Sequence, residues 1–369
     1  MGAYGGDGGE PQGRVLLARQ PVLARVGGVP DGNPHGRSEP NSLRLQRRRA
    51  HACRDLSGGR GRKARERPTM FLKIARKVVH SVRGRRIAAM RGQPQWCRVP
   101  AGFWMRIDPN EHQGRVIMLG YAESHLVYFI KQIVRQGDVC VDVGANQGYI
   151  ALHLASAVGS RGRVVAIEAA EPIFERLQTN IQRNNAHQVL CIQRAAGDCT
   201  RTIDLWYNPA ESGLTSVHHR SSAQAARVRV QQEPADSILQ RVLLPTQLEQ
   251  LILIKIDVEG YEPMVLKGLL QTLQRSKPLL WMEKDPNYLQ AGGFTTLDMV
   301  APLHELGYNI YDTWFSRNFL GMPRLTLTPV DIHGERFNTE HRDILAVVPD
   351  TEGWRRLQHS QIDIREETV

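Results

Sequence analysis

The stretch Asp142–Gly148, DVGANQG, constrains this chain more than any other. It follows an apolar run, Val139 to Val143, that reads as a buried parallel strand. It precedes Ile150, Leu152, Leu154, Ala155 and Val158, spaced as on a helix. Strand, glycine turn and helix form the layout of a nucleotide-type cofactor pocket in a doubly wound α/β sheet. Glycine lets backbone approach a ligand and adopts angles that a Cβ forbids. The spacing then separates the cofactors. A dinucleotide fold uses G-x-G-x-x-G to seat a pyrophosphate on a helix N-terminus. Here Gly144 and Gly148 are spaced G-x-x-x-G, Asn146 lies between them, and an acid, Asp142, stands in the strand end. That acid suits an ammonium better than a phosphate. S-adenosylmethionine carries an amino-acid tail, a cationic sulfur and no phosphate, and fits this turn.

A second apolar run, Val164 to Ile167, closes on Glu168. An acid in that place takes the two ribose hydroxyls as a bidentate acceptor. The third run, Val189 to Gln193, is followed by AAGD, which puts Asp198 where it accepts from the adenine amino group. Gly-Asp is also ordinary turn chemistry.

Charge divides the chain. Residues 1–100 carry 22 Lys and Arg against 6 Asp and Glu, whereas residues 101–369 carry 26 against 31. The net +11 is therefore no property of the catalytic body, and a nucleic-acid enzyme usually keeps its basic patch on the folded domain. Residues 1–69 are rich in Gly, Arg and Pro without apolar period and read as a disordered extension. Met70 opens a different texture and is a second candidate start. Residues 70–118 read as a basic amphipathic helix and lead-in strands, residues 119–350 as the catalytic domain, and residues 351–369 as a polar tail. In the helix, over residues 71–91, Phe71, Ile74, Ala75, Val78 and Val82 share a face among Lys73, Arg76, Lys77, Arg83, Arg85 and Arg86, and Gly84 interrupts it. That pattern fits either contact with an anionic membrane surface or packing on the body. The five cysteines include no C-x-x-C pair, which suits a reducing cytoplasm and no zinc. No run has the length of a membrane span.

Beyond the first turn, helix and strand alternate. Glu123–Val134 and 171–184 read as helices, and 251–256 as the most apolar strand. Residues 261–274 read as a helix, 278–283 as a strand and 296–306 as a helix, with strands near 309–313 and 343–348. Between them, 202–207 and 227–230 read as a hairpin around a polar loop holding Ser212, Gly213, Ser216, His218 and His219. The pattern predicts one mostly parallel, doubly wound sheet covered by helices on both faces, with an inserted hairpin.

In such sheets the ligand lies beyond the carboxyl ends of the strands. Strand four ends in KIDVEGYE and strand five in WMEKDP, so Asp257, Glu259 and Glu283 face the end where a methyl group would point. Asp257 either organises an acceptor or joins Asp142 on the cofactor's amine. Lys255 is either a base of lowered pKa or a structural partner of Asp257 or Glu283. Asp257 and Glu283 alone are two carboxylates without a third, so no metal is assigned. Loop histidines such as His218 and His219 are catalytic candidates or bystanders. Glu262 reads as a favourable charge at a helix start.

DVGANQG, VVAIEAAEP, AAGD, GLTSV, PADSIL, KIDVEGYEPMVLKG and a Glu after strand five together resemble the FkbM family of S-adenosylmethionine-dependent methyltransferases. The resemblance runs from about residue 119 to about residue 310, and the KIDVEG block is its most specific part. It implies the Rossmann-like class I methyltransferase fold and O-methylation of a hydroxyl on a glycan or small-molecule acceptor such as a sugar or polyketide. By resemblance, Asp142, Gly144, Asn146, Gly148, Glu168 and Asp198 are cofactor contacts, and Asp257, Glu259 and Glu283 form the second block. The family has Glu-Pro directly after strand two. Here the order is Glu168-Ala-Ala-Glu171-Pro172, and the end of the apolar run selects Glu168 over Glu171. The rival readings are an RNA methyltransferase on the same fold and a non-catalytic binder of the cofactor. Amine methylation of bases uses N/D-P-P-Y/F after strand four, where this chain has Asp257-Val258-Glu259-Gly260. Cytosine C5 chemistry needs a cysteine near a site strand, and none follows Cys199.

Overall fold

The computed structural model describes residues 81–208, 217, 225–318 and 321–365. The strands are β1 (Gln95–Arg98), β2 (Trp104–Ile107), β3 (Val139–Val143), β4 (Arg163–Glu168), β5 (Val189–Gln193), β6 (Ala195–Gly197) and β7 (Arg201–Tyr207). They continue with β8 (Ala226–Pro234), β9 (Leu251–Ile256), β10 (Leu279–Lys284), β11 (Asn309–Arg317), β12 (Pro323–Pro329), β13 (Arg342–Val347) and β14 (Asp363–Ile364). Nine form one sheet in the order β14-β12-β11-β13-β10-β9-β3-β4-β5. Strands β5, β4, β3, β9 and β10 run parallel, and β13 enters antiparallel between β10 and β11. The chain winds from β3 to one side through β4 and β5. It then returns to pair β9 on the other side of β3. The carboxyl ends of β3 and β9 thus bound the crevice where such sheets bind ligands.

The central strands are apolar on both sides because both faces are covered. Every residue of β3 and β9 is buried. Alternate side chains go to opposite layers. Cys140, Val164, Leu253 and Trp281 pack with Phe129, Leu154 and Leu345 on one face. Val141, Val143, Ile254, Ile256 and Met282 pack with Ile238, Leu266 and Met299 on the other. The expected inserted hairpin is present as β7 and β8, and β6 joins it to make a three-stranded sheet. The loop bearing Ser212, Gly213, Ser216, His218 and His219 lies outside the described residues.

Several expectations change. The lead-in strands β1 and β2 pair as an antiparallel hairpin, and a helix at His112–Leu119 follows that the sequence pattern did not show. The helix expected over 261–274 is two pieces, Glu262–Lys267 and Leu270–Ser276. Between them, a Cβ on Gly268 would come 1.7 Å from the Gly197 carbonyl oxygen, so the insert sheet presses directly on this break. Residues 81–89 are helical straight through Gly84. Val82 is 50% exposed rather than inward, and residues 71–80 of that segment lie outside the described residues. The polar tail is no tail through residue 365. Glu352–Gln358 is a helix that buries Leu357, and β14 pairs with β12. Arg356 grips Asp138 at the foot of β3 with two bonds, of 2.5 and 3.1 Å. Sequence patterning missed this because the helix presents few apolar residues and its anchor is a buried ion pair.

After β9 the chain turns through Asp257–Gly260 before the Glu262–Lys267 helix. Glu262, 1% exposed, accepts from the Val258 and Gly260 amides at 3.0 and 3.3 Å and so holds the turn. Burial outweighs these amides and pushes its carboxyl up to about 7 from 4.5. The fold therefore favours the protonated acid. Its contribution is fully present below the unfolded value and is lost as pH rises toward 7. Glu262→Gln keeps the acceptor oxygen and removes this titration. Between about pH 5 and about pH 8 the variant should gain about 2 kcal/mol on the wild type in urea denaturation. A constant difference across that range would show that the fold does not raise the Glu262 pKa.

Candidate functional site

The site is built on the turn after β3. Gly144, Asn146 and Gly148 all have positive φ, at 76°, 47° and 87°. Gly144 is there because nothing larger fits: a Cβ would lie 1.9 Å from the Asp257 carbonyl oxygen. The Gly144 and Ala145 amides both reach the Ile167 carbonyl at 3.0 Å, which ties the turn to the end of β4. Gly148 precedes the Tyr149–Val158 helix, and a Cβ there would meet Leu177 at 2.7 Å.

Glu168 closes β4 and lines the cleft. One carboxylate oxygen accepts from the Asn146 amide and the other from the Ala170 amide, each at 3.0 Å. The carboxylate is thus fixed while each oxygen keeps a further lone pair for a hydroxyl. Burial raises its pKa, and the two amides oppose that shift. Glu171, the alternative acid, is exposed in the first turn of the next helix.

Asp142 is not on the cleft wall. It is fully buried beneath the turn, 3.4 Å from the Lys255 ammonium. Lys255 reaches upward from β9, 5% exposed, and donates to the Gly144 carbonyl at 2.8 Å with Asp257 at 3.2 Å. Burial alone would lower the Lys255 pKa, but Asp257, Asp142 and Glu123 hold it above its ordinary value. Lys255 therefore stays charged, and the base reading fails in favour of the structural pairing.

Asp198 also stands away from the cleft. Its carboxylate accepts from Gln232 at 3.1 Å and pairs with Arg201 at 3.5 Å. Instead, Ala195 and Ala196 of β6 form that wall beside Ile167. The Gly-Asp pair is here turn chemistry at the start of the insert.

Asp257, Glu259 and Glu283 do come together, with oxygens within 4.8 Å of one another, and all line the cleft. Glu259 supplies the third carboxylate beside Asp257 and Glu283. It sits in the turn at φ 55°. Acids alone do not define a cation site, and protonation already relieves their repulsion. Burial, then Asp257 and Glu259, drive the Glu283 carboxyl far above the carboxylate range, so it is a donor near neutral pH. Its Oε1 is 3.1 Å from His341 Nε2.

Two features escaped the sequence reading. The first is Glu123, at φ 44° before the Ser124–Ile133 helix, which lines the same cleft. Burial and Asp343 push it up to about 7. Its carboxylate lies within 4.8 Å of both His125 and Asp343. His125 Nε2 is 2.5 Å from Asp343, which also accepts from the Trp281 indole at 2.9 Å. Asp343 is on the antiparallel strand β13, far along the chain, and no local pattern connects it to Glu123. The second is Gln147, which lines the cleft at 1% exposure with neither amide atom bonded among the described residues. A buried amide without partners is costly unless a ligand supplies them.

These groups fit S-adenosylmethionine. Glu168 offers acceptors for ribose hydroxyls, Gln147 an unmatched donor and acceptor, the small β6 wall a slot for a flat ring, and the acidic end a place for positive charge. Residues 142–310 match the family described as the Methyltransferase FkbM domain. Among solved structures, the chain resembles an FkbM methyltransferase from Methylobacillus flagellatus at 17% identity and TM-score 0.35. That match covers 64% of this chain and 54% of the other, so the chain spans about half that protein's length. Aeropyrum pernix fibrillarin with bound S-adenosyl-L-methionine matches at 12% identity and TM-score 0.33, over 60% and 73% of the two chains. A SAM-dependent O-methyltransferase from Thermotoga maritima matches at 14% identity and TM-score 0.31, over 61% and 63%. No curated protein matches the chain. The family match spans β3 to β11 and begins on the cofactor turn: residues 142–310 match the FkbM methyltransferase domain, and this match supports S-adenosylmethionine as cofactor.

Proposed function

We propose that the chain transfers a methyl group to a hydroxyl oxygen of a glycan or small polar acceptor. The observation that carries this reading is the set of carboxyl groups at the end of the cleft, Glu123, Asp257, Glu259 and Glu283, beside one buried lysine that is already paired. Such a wall offers many hydrogen bonds to hydroxyls and repels phosphates. The cofactor, when bound, supplies a methyl group on a sulfonium, an electrophile that already leaves well. The protein's part is to place the acceptor oxygen in line and to accept its proton. In our reading Asp257 and Glu259 orient the acceptor, protonated Glu283 donates to a neighbouring oxygen, and Glu123 takes the proton. A carboxyl near 7 is half ionised at neutral pH, which suits a general base. His125, fixed by Asp343, holds Glu123 in place. Burial alone would lower the His125 pKa, but the bond to Asp343 raises it, which keeps a cation beside that carboxylate.

Cofactor binding depends on other residues. Calorimetry with S-adenosylmethionine should give binding weakened about a hundredfold by Glu168→Ala, the loss of two hydrogen bonds to a charged acceptor. Gly144→Ala, which puts a methyl group into the Asp257 carbonyl, should abolish binding. Wild-type affinity in both variants would mean that the cofactor lies elsewhere.

Turnover depends on the acidic end. Against a panel of cell-envelope glycans and secondary-metabolite alcohols, Asp257→Asn should keep cofactor affinity within about threefold and lose about a hundredfold or more in kcat. The wild-type rate should rise with pH toward a plateau above about 7 as Glu123 ionises, and Glu123→Gln should lose that rise. Methylation of RNA in preference to every hydroxyl acceptor would overturn the acceptor reading. A pH profile unchanged in Glu123→Gln would remove Glu123 as the base.

A further inference from the structure

The solvent face of the β1–β2 hairpin has an unusual composition. Residues 96, 98, 104 and 106 point to one side of the pair, with Trp96 opposite Arg106 and Arg98 opposite Trp104. Met105 and Ile107 fill the other side and are fully buried. The outer face of an antiparallel hairpin ordinarily carries polar residues. Here it carries two tryptophans, 38% and 39% exposed, with two arginines between them and no carboxylate. A third arginine, Arg183 at the end of the Glu171–Arg183 helix, places its guanidinium 5.6 Å from the Trp96 ring and 5.4 Å from the Trp104 ring. The helix is held against the hairpin edge by Asn180 and Asn184, which accept from the Arg106 and Trp104 amides at 2.9 Å. The helix over 81–89 lies beside the hairpin turn. Arg83 reaches the Leu119 carbonyl at 2.7 Å, while Arg85, Arg86 and the half-exposed Val82 stay open.

We propose that this face docks the protein on an anionic lipid surface. Tryptophan has an apolar body with a polar tip and settles at headgroup depth, while arginine forks onto phosphate. Charge restricts the occupant. The chain's own residues 1–69 are strongly basic and are repelled by three arginines. The rest of the body carries excess acid, so the positive charge here is local and not a property of the whole. Single-stranded nucleic acid is attracted by the same charge but binds by stacking bases on open rings, and Arg183 already covers both indoles. None of the four hairpin residues lines the cofactor cleft, so docking leaves the cleft open.

The test uses the full chain and sedimentation with phosphatidylcholine vesicles, with and without phosphatidylserine. Wild-type protein should bind only the phosphatidylserine vesicles, and less as salt rises. Arg98→Gln with Arg106→Gln should weaken binding about thirtyfold, from roughly 1 kcal/mol for each arginine. Trp96→Ala with Trp104→Ala should weaken it at least about tenfold and remove the binding that survives high salt. Thermal melting and S-adenosylmethionine affinity should be unchanged in the arginine pair, which leaves the hairpin core intact. Equal binding by wild type and both variants would assign attachment to residues 1–69 and overturn the proposal. So would failure of the wild type to bind, tighter binding of poly(U) lost in both variants, or self-association that both variants abolish.

Discussion

A single buried ammonium joins the two halves of this site. Lys255 stands on β9, the strand on one side of the switch point, and holds the acid and the turn of β3 on the other, through Asp142, Asp257 and the Gly144 carbonyl. Two carboxylates and a lysine out of water are expensive unless their geometry is good and the remaining polar atoms are satisfied. Here Lys255 donates to the Gly144 carbonyl and lies within ion-pair distance of Asp142 and of the partly exposed Asp257, while the Asp142 oxygens take no hydrogen bond among the described residues. The consequence is geometric. Gly144 is drawn so close to Asp257 that a methyl group cannot be placed between them. The Gly144 turn and Asp257 are therefore held against each other.

The remaining charges around that piece are relieved by proton uptake. One lysine cannot neutralise Asp142, Asp257, Glu259, Glu283, Glu262 and Glu123. Glu262 and Glu283 accordingly favour their acid forms, and Glu123 is left near the middle of its titration. Crowded acids in low dielectric spread their pKa values apart, and this separation divides acid from base roles among chemically identical groups. It also makes the cleft responsive to added positive charge, so a sulfonium entering beside Asp257 favours ionisation of its neighbours.

The sequence was most legible where burial is two-sided. The runs 139–143 and 251–256 match β3 and β9 residue for residue, because strands covered on both faces must be continuously apolar. Glu168 was legible for the same reason, as the first polar residue after such a run. Legibility failed where the deciding contact is distant. The role of Lys255 depends on Asp142, on another strand. The setting of Glu123 depends on Asp343, which reaches it only because β13 inserts between β10 and β11. Asp198 followed a correct strand but was claimed by Gln232 and Arg201 of the insert sheet. The terminal helix was hidden because its anchor is the Arg356–Asp138 pair and not an apolar stripe.

The same segregation of charge bears on what reaches the cleft. Arg194 is the arginine on its wall, and Glu233 already holds it at 2.7 Å. Arg98, Arg106 and Arg183 cluster on the hairpin face instead, outside the cleft. A phosphate-rich chain entering the cleft would meet the carboxyl groups at the reacting end. An uncharged polyol meets no such barrier, and each acid that repels a phosphate is an acceptor for its hydroxyls. The electrostatics that could attract a surface and those that could select an acceptor are thus built from different residues, and a change in one need not disturb the other.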